Sequence, residues 1–393
     1  MNRIRKQVVK PYFSWLLAGL LFLSGCSTIK SVIPGGDSEE EPAPLEDITE
    51  TVSLQRVWKV SSGDIDNDSR LIQHVLAGSS LYAVSSDGLV TAVDVDNGET
   101  LWSNKLKLDV SAGAGYGDAL VFIGTEEGEV VALHASTGEL AWRAEVGGEI
   151  LASPMAGTGT VVVSTSVDRL TGLSSVDGTQ KWSLKQSTPR LTLRGRSRPL
   201  VMSDIVFAGF ENGKLLLVRL ENGQTLWEKR VGDAVGKSEL ERLADVDSRP
   251  ILIKDTIYAA AYQSRVVAIH APSSRIVWEN NTSTYQDMAV DSSNIYVTDE
   301  NDVVIAIDRS NGLTVWRQQA FGYRSVSAPA VADDYIVVGD REGYLHVLDK
   351  QTGEQAGRIK LGSAIASQPL VRGSTVFVQT VDGDLGGWQL NRQ

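Results

Sequence analysis

Cysteine is almost absent: Cys26 is the one thiol in 393 residues. No intramolecular disulfide can form, so the folded part must be held by packing and hydrogen bonding. Histidine is scarce too, and His74, His134, His270 and His346 are scattered without the spacing of a metal site. No nucleophile motif accompanies them. No apolar run reaches the length of about 20 residues that a membrane-crossing helix needs. Positive charge is in deficit, with 37 Lys and Arg against 49 Asp and Glu, a net charge of −12. Without Arg3, Arg5, Lys6 and Lys10 the balance falls to −16. Such a body repels phosphate backbones, which argues against nucleic acid as a partner.

The few cations at the start have a purpose. Residues 1–10 form a basic stretch, followed by the apolar run Trp15-Leu16-Leu17-Ala18-Gly19-Leu20-Leu21-Phe22-Leu23. Its length suits a secretory signal, residues 1–25, rather than a membrane span. It ends in Leu23-Ser24-Gly25-Cys26, which resembles the bacterial lipobox. That resemblance implies that the Cys26 thiol carries a lipid, and several acyl chains anchor a protein firmly. Ser27 in place of an aspartate implies the outer membrane, with the body facing the periplasm. Residues 26–51 read as a lipidated acidic linker. They contain Pro34, Gly35, Gly36, Pro42 and Pro44, with seven acids against Lys30. Like charges and few apolar residues favour an extended leash.

From residue 52 onward the chain repeats. Ala132-Leu133-His134-Ala135-Ser136-Thr137-Gly138-Glu139-Leu140-Ala141-Trp142 is the clearest unit, and relatives end at Trp102, Trp182, Trp227, Trp278 and Trp316. Glycine stands four residues before the tryptophan at Gly98, Gly138, Gly178, Gly223 and Gly312, with Ser274 in the weakest copy. A further copy keeps Gly353 but has Gly357 where tryptophan is expected. Short β-rich runs flank Asp87-Gly88, Glu127-Gly128, Asn212-Gly213, Glu342-Gly343 and Asp382-Gly383. These dipeptides supply the positive φ of a tight hairpin. Less ideal turns fall at Asp168-Arg169, Ser264-Arg265 and Asn301-Asp302. Each unit therefore holds four antiparallel strands, A to D, with the tryptophan on D. Units of this kind at about 40–45 residues are propeller blades. The D positions are 58, 102, 142, 182, 227, 278, 316 and 357. The last three strands, within 368–390, lack a fourth, and the strand around Trp58 lacks the three before it. Pairing the two ends completes an eighth blade. The expected fold is all-β: an eight-bladed β-propeller over 52–393, closed by its terminal strands.

Blade length is constant and connector length is not. Proline to D position spans 28 residues at 154→182, 199→227, 250→278 and 329→357. The gap from D to the next proline is 12 or 13 residues at three junctions, 17 for 182→199 and 23 for 227→250. Both insertions are D-to-A connectors, on one face of the ring. Long loops on a rigid scaffold are where binding residues concentrate. The first insertion contains Leu191-Thr192-Leu193-Arg194-Gly195-Arg196. The second contains Glu239-Leu240-Glu241-Arg242-Leu243-Ala244, with room for one or two helical turns, and then Asp245-Val246-Asp247. By residue chemistry the leucines and Arg194 suit an interface anchor, and the aspartates suit a basic partner. Equally, the leucines can pack on the propeller and the charges pair with each other.

The Thr-Gly-x-x-x-Trp repeats resemble the propeller of pyrroloquinoline quinone (PQQ) dehydrogenases. The whole chain, from lipobox to Gly386-Gly387-Trp388, resembles the BamB family of outer-membrane assembly lipoproteins. That resemblance implies an accessory scaffold, docked on the periplasmic POTRA domains of the barrel subunit BamA alongside the other Bam lipoproteins. It also implies a part in delivering nascent outer-membrane β-barrel proteins. The family's docking pattern, Leu-x-Leu-Arg followed by Asp-x-Asp, falls on Leu191, Leu193, Arg194, Asp245 and Asp247. The quinoproteins use Ca²⁺ with carboxylate and Asn ligands, and many have a vicinal cysteine disulfide, which this chain cannot form. The expectation is a binding protein without cofactor, not an enzyme. The alternatives are a PQQ-dependent dehydrogenase and a general scaffold for envelope enzymes.

Overall fold

Four-residue turns with a left-handed residue punctuate the chain and set its strand register. The computed structural model describes residues 41–65, 72–187, 189, 191, 193, 195, 197–233 and 237–393. The expected signal segment, Cys26, the linker up to residue 40 and Arg194 lie outside them. The hairpin glycines have the positive φ expected of them: Gly88, Gly128, Gly213, Gly343 and Gly383 all fall between 77° and 83°. In the less ideal hairpins Asp168 (53°) and Asp302 (62°) take this conformation, and in a third Gln263 (49°) does so, one residue before the Ser264-Arg265 pair. Asn and Asp tolerate the left-handed region because their short side chains bond locally.

The described strands form eight four-stranded antiparallel sheets arranged as a β-propeller. Seven sheets use consecutive strands: 75–105, 110–145, 155–185, 200–230, 251–280, 289–318 and 330–360, here blades 1 to 7. Blade 8 joins Leu370–Arg372, Thr375–Gln379 and Asp384–Arg392 to Val52–Ser61, the first strand of the chain. Val52 lies opposite Arg392 and Ser61 opposite Asp384, so the two ends close the ring as expected. B and C strands are sandwiched between neighbouring blades, and Leu120–Thr125 and Thr160–Thr165 are buried at every residue. D strands are outermost and half-exposed, as in the buried Trp182 between the exposed Lys181 and Ser183. The short A strands of adjacent blades touch one another around the axis.

Between blades the tryptophan and the glycine form one device. Trp58 Nε1–H donates to the Val95 carbonyl of the next blade at 2.9 Å, Trp102 to Ala135 at 2.8 Å and Trp142 to Ser175 at 2.9 Å. The same bond recurs from Trp182, Trp227, Trp278 and Trp316. The indole thus buries its ring and satisfies its only donor. Where the C–D turn that receives it carries glycine, there is no room for a side chain. A Cβ on Gly138 would stand 2.3 Å from the Trp102 ring, and one on Gly98 2.7 Å from Trp58. Ser274 keeps the left-handed φ, 51°, at the one seat without glycine.

The junction of blades 7 and 8 has no such tryptophan, and Gly357 explains why. The closing strand runs directly over it: a Cβ there would lie 2.4 Å from the Val52 carbonyl oxygen. Thr51 N–H donates to the Ala356 carbonyl at 2.8 Å. Val52, Ala356 and Trp388 share one buried cluster.

The final part of the expected linker is tied to the propeller. Ala43 N–H donates to the Gly322 carbonyl at 2.9 Å, and its own carbonyl accepts from Arg324 Nη1 at 2.7 Å. Arg324 is fully buried, and its guanidinium also reaches Asp340 (2.7 Å) and Glu342 (2.6 Å). His346 Nε2 shares the same Asp340 oxygen at 2.9 Å. A buried guanidinium needs an acceptor for each edge, and the chain entering the ring provides one.

The seat of the tryptophan is testable with two glycines of the same φ. Gly138 (72°) faces Trp102, whereas Gly159 (77°) has nothing nearby. Gly159→Ala should cost about 1–2 kcal/mol, the left-handed penalty alone. Gly138→Ala should add about 1–3 kcal/mol of overpacking. Urea unfolding of both variants measures the difference, and equal losses would refute the seat.

Candidate functional site

The two insertions flank blade 4. The first follows Gln180–Lys185 and the second follows Thr225–Arg230. Alternating strand direction puts both on the face that carries the B–C hairpins. They lie against each other and are joined at three successive points. Leu193 N–H donates to Asp245 Oδ2 at 2.7 Å. Asp247 fills the space beside Gly195, where a Cβ would meet Oδ2 at 2.9 Å. Ser197 Oγ–H donates to the Ser248 carbonyl at 3.0 Å.

The second insertion is also tied to the scaffold. Val246 N–H donates to the Phe210 carbonyl at 3.2 Å, and Tyr262 N–H to the Asp245 carbonyl at 2.9 Å. Val246 is fully buried in the cluster between blades 4 and 5. Upstream, Leu240–Arg242 forms a single 3₁₀ turn, at the short end of what the pattern allowed. It is stabilised by a reciprocal pair: Glu241 N–H donates to Ser238 Oγ at 3.2 Å, and Ser238 N–H to Glu241 Oε2 at 3.3 Å. This is the capping-box exchange of a Ser-x-x-Glu start. Hydrogen bonds from Lys237 and Ser238 hold the Glu241 carboxyl below its usual range.

The residues singled out by sequence therefore divide by position. Asp245 and Asp247 are buried, at 0% and 7% exposure. Leu193 is half-buried and Leu191 is 43% exposed. Leu240, on the 3₁₀ turn, is 62% exposed and was not among the sequence candidates. Its signal was the Ser-x-x-Glu start at Ser238 and Glu241, which places the leucine inside the first turn. The arrangement offers apolar contact from two exposed leucines on loops braced by buried carboxylates. Among the described residues no group of three or more His, Cys, Asp or Glu is placed to hold a metal ion.

Removing the brace should loosen the first insertion before the ring. Asp245→Ala leaves the Leu193 N–H without this acceptor, a loss of about 1–3 kcal/mol. Limited proteolysis should cut within 186–198 sooner than in the parent chain, with blade fragments still intact. An unchanged cleavage rate would show that the bond does not hold the loop.

Comparison with known proteins agrees with this architecture. The model of the family described as outer membrane protein assembly factor BamB matches residues 86–318 and 314–393. The chain is 44% identical to outer membrane protein assembly factor BamB of Pseudomonas aeruginosa over 365 residues, covering 92% of this chain and 94% of that protein. Against the protein of the same name from Escherichia coli K12 it is 32% identical over 383 residues, covering 94% and 97%. Among solved structures, BamB from Moraxella catarrhalis superposes with a TM-score of 0.79 at 25% identity, covering 86% of this chain and 100% of that one. The quinohemoprotein alcohol dehydrogenase of Comamonas testosteroni shares the fold, with a TM-score of 0.67 at 11% identity over 86% of this chain and 76% of that one. On its family match and on these relatives, the chain belongs to the BamB family of outer membrane protein assembly factors.

Proposed function

We propose that this chain serves outer-membrane protein assembly as a docking scaffold and not as a catalyst. In this reading Cys26 carries the lipid that holds it to the outer membrane, with residues 26–51 as linker and the propeller in the periplasm. The braced insertions are the contact surface for the POTRA domains of BamA. The other Bam lipoproteins and nascent barrel proteins belong to the same assembly.

The observation that carries the reading is the pairing of the insertions across blade 4. Two loops that differ in length from every other D–A connector are bonded to each other and present Leu191 and Leu240 outward. Loops held in this way lose little entropy on binding, which is what an interface needs. Exposed leucines are ordinary when isolated, but here both belong to the two longest D–A connectors, which are bonded to each other. Asp245 and Asp247 act through the loops, while Leu191, Leu240 and Arg194 make the contact. The family relatives support an assembly factor over a dehydrogenase, and the quinohemoprotein likeness at 11% identity extends to the fold alone.

Capture from detergent-solubilised envelopes, with mass spectrometry of the bound proteins, tests this directly. The parent chain should retain the BamA subunit. Leu191→Glu with Leu240→Glu, or Arg194→Glu, should reduce that recovery at least tenfold, the loss of one hot-spot contact or about 1.4 kcal/mol. Cys26→Ala should move the protein from the membrane to the soluble fraction. Undiminished capture by the leucine variant would remove these loops from the interface.

A further inference from the structure

Each D–A connector ends at the axis, just before an A strand, and most end in a Ser-x-Pro step or its equivalent. The middle residue differs from blade to blade. It is Ala328 before blade 7 and Gln368 before blade 8. Before blades 4 and 5 it is Arg198 and Arg249, in Ser197-Arg198-Pro199 and Ser248-Arg249-Pro250. These are the last residues of the two insertions. The next blade places Asp287 at the corresponding position.

The three side chains meet. Arg198 Nη2 donates to Asp287 Oδ2 at 3.2 Å, with both side chains about nine-tenths buried. The other oxygen, Oδ1, accepts the Arg249 backbone N–H at 2.7 Å. One carboxylate therefore stands beside two guanidinium groups, and the hydrogen-bonded ion pair goes to Arg198 alone. The Nε–H of Arg198 and that of Arg249 are both buried without a hydrogen-bond partner. Proximity to Arg198, then burial, pulls Arg249 down to about 10, against the opposing pull of Asp287. It remains charged at neutral pH. His74, also at an A-strand start, is held neutral chiefly by burial, at about 4, and adds no charge to the two guanidinium groups.

We propose that Arg198 and Arg249 form an oxyanion site at the axial mouth on the insertion face, taking one carboxylate or phosphate-class group. Buried polar groups are expected to be bonded, and guanidinium forks match the geometry of these anions. The site goes beyond docking through the leucines. Because the two arginines close the same loops, a carboxylate on a docked polypeptide would reach them, and a free ion would do so without any partner.

The test compares the full-length chain with Arg249→Gln, which keeps the Arg198–Asp287 pair and hence the fold. At matched ionic strength, exchanging chloride for acetate or inorganic phosphate should raise the melting temperature of the parent by about 2–4 °C. The variant should lose that response. Equal responses from the two proteins, or none from either, overturn the site. Envelope capture by the same pair then separates the sources. Weaker recovery of the partner by Arg249→Gln assigns the anion to the partner, and equal recovery assigns it to a free ion. The anion titration needs no partner, so the site and the docking reading fail independently.

Discussion

The packing of each D-strand tryptophan into the glycine turn of the following blade governs the architecture. It couples two distances that have to agree. The indole must reach the next blade's C–D turn, and its Nε1–H must meet the carbonyl at the end of the C strand there. Both requirements fix the length from the start of a blade to its tryptophan. The constant 28-residue interval at 154→182, 199→227 and 250→278 is the sequence record of that geometry. A one-residue change inside the interval would turn the tryptophan to the opposite face of its strand. The D–A connector carries no such contact, and so it is the place where length can vary without disturbing the ring.

A ring built from one repeated contact has to be closed by a different one. At seven junctions a tryptophan of a finished blade meets the turn of the next. At the eighth the incoming strand Val52–Ser61 is itself the outer strand of blade 8, and its first residues lie over blade 7. Gly357 stands under Val52 because a ring there would occupy the space of the backbone. The lost indole burial is offset by Val52, Ala356 and Trp388 in a common cluster. What looks in the repeat like decay of the motif is the trace of closure.

The blade count, the strand order within each blade and the terminal pairing were all legible from spacing, because each depends on local turn chemistry and a fixed interval. The insertions were legible as well, as departures from that interval. The state of Asp245 and Asp247 was not. An Asp-x-Asp in a long polar loop reads as exposed charge, and only the tertiary approach of the first insertion puts the Leu193 N–H and Gly195 against it. The alternation itself could not discriminate, since Val246 between the two aspartates is buried too. The arginines of the two Ser-Arg-Pro steps were hidden for another reason. Proline there marks the start of a strand, and the residue before it looks like punctuation until the axis brings Arg198, Arg249 and Asp287 together.

The position of Ala43 bears on how such a scaffold presents its loops. Its bonds to Gly322 and Arg324 fall in the connector between blades 6 and 7, and every D–A connector lies on the face of the insertions. The chain therefore leaves the ring from the face that carries Leu191 and Leu240, not from the opposite one. Sixteen residues lie between Cys26 and Ala43, a span of about 60 Å at full extension. With the proposed lipid on Cys26, a tether of that reach would hold the proposed docking loops at a raised local concentration near anything bound to the same membrane. The buried Arg324 and Asp340, with the exposed Glu342 at their edge, hold Ala43 at the point where the described chain meets the ring.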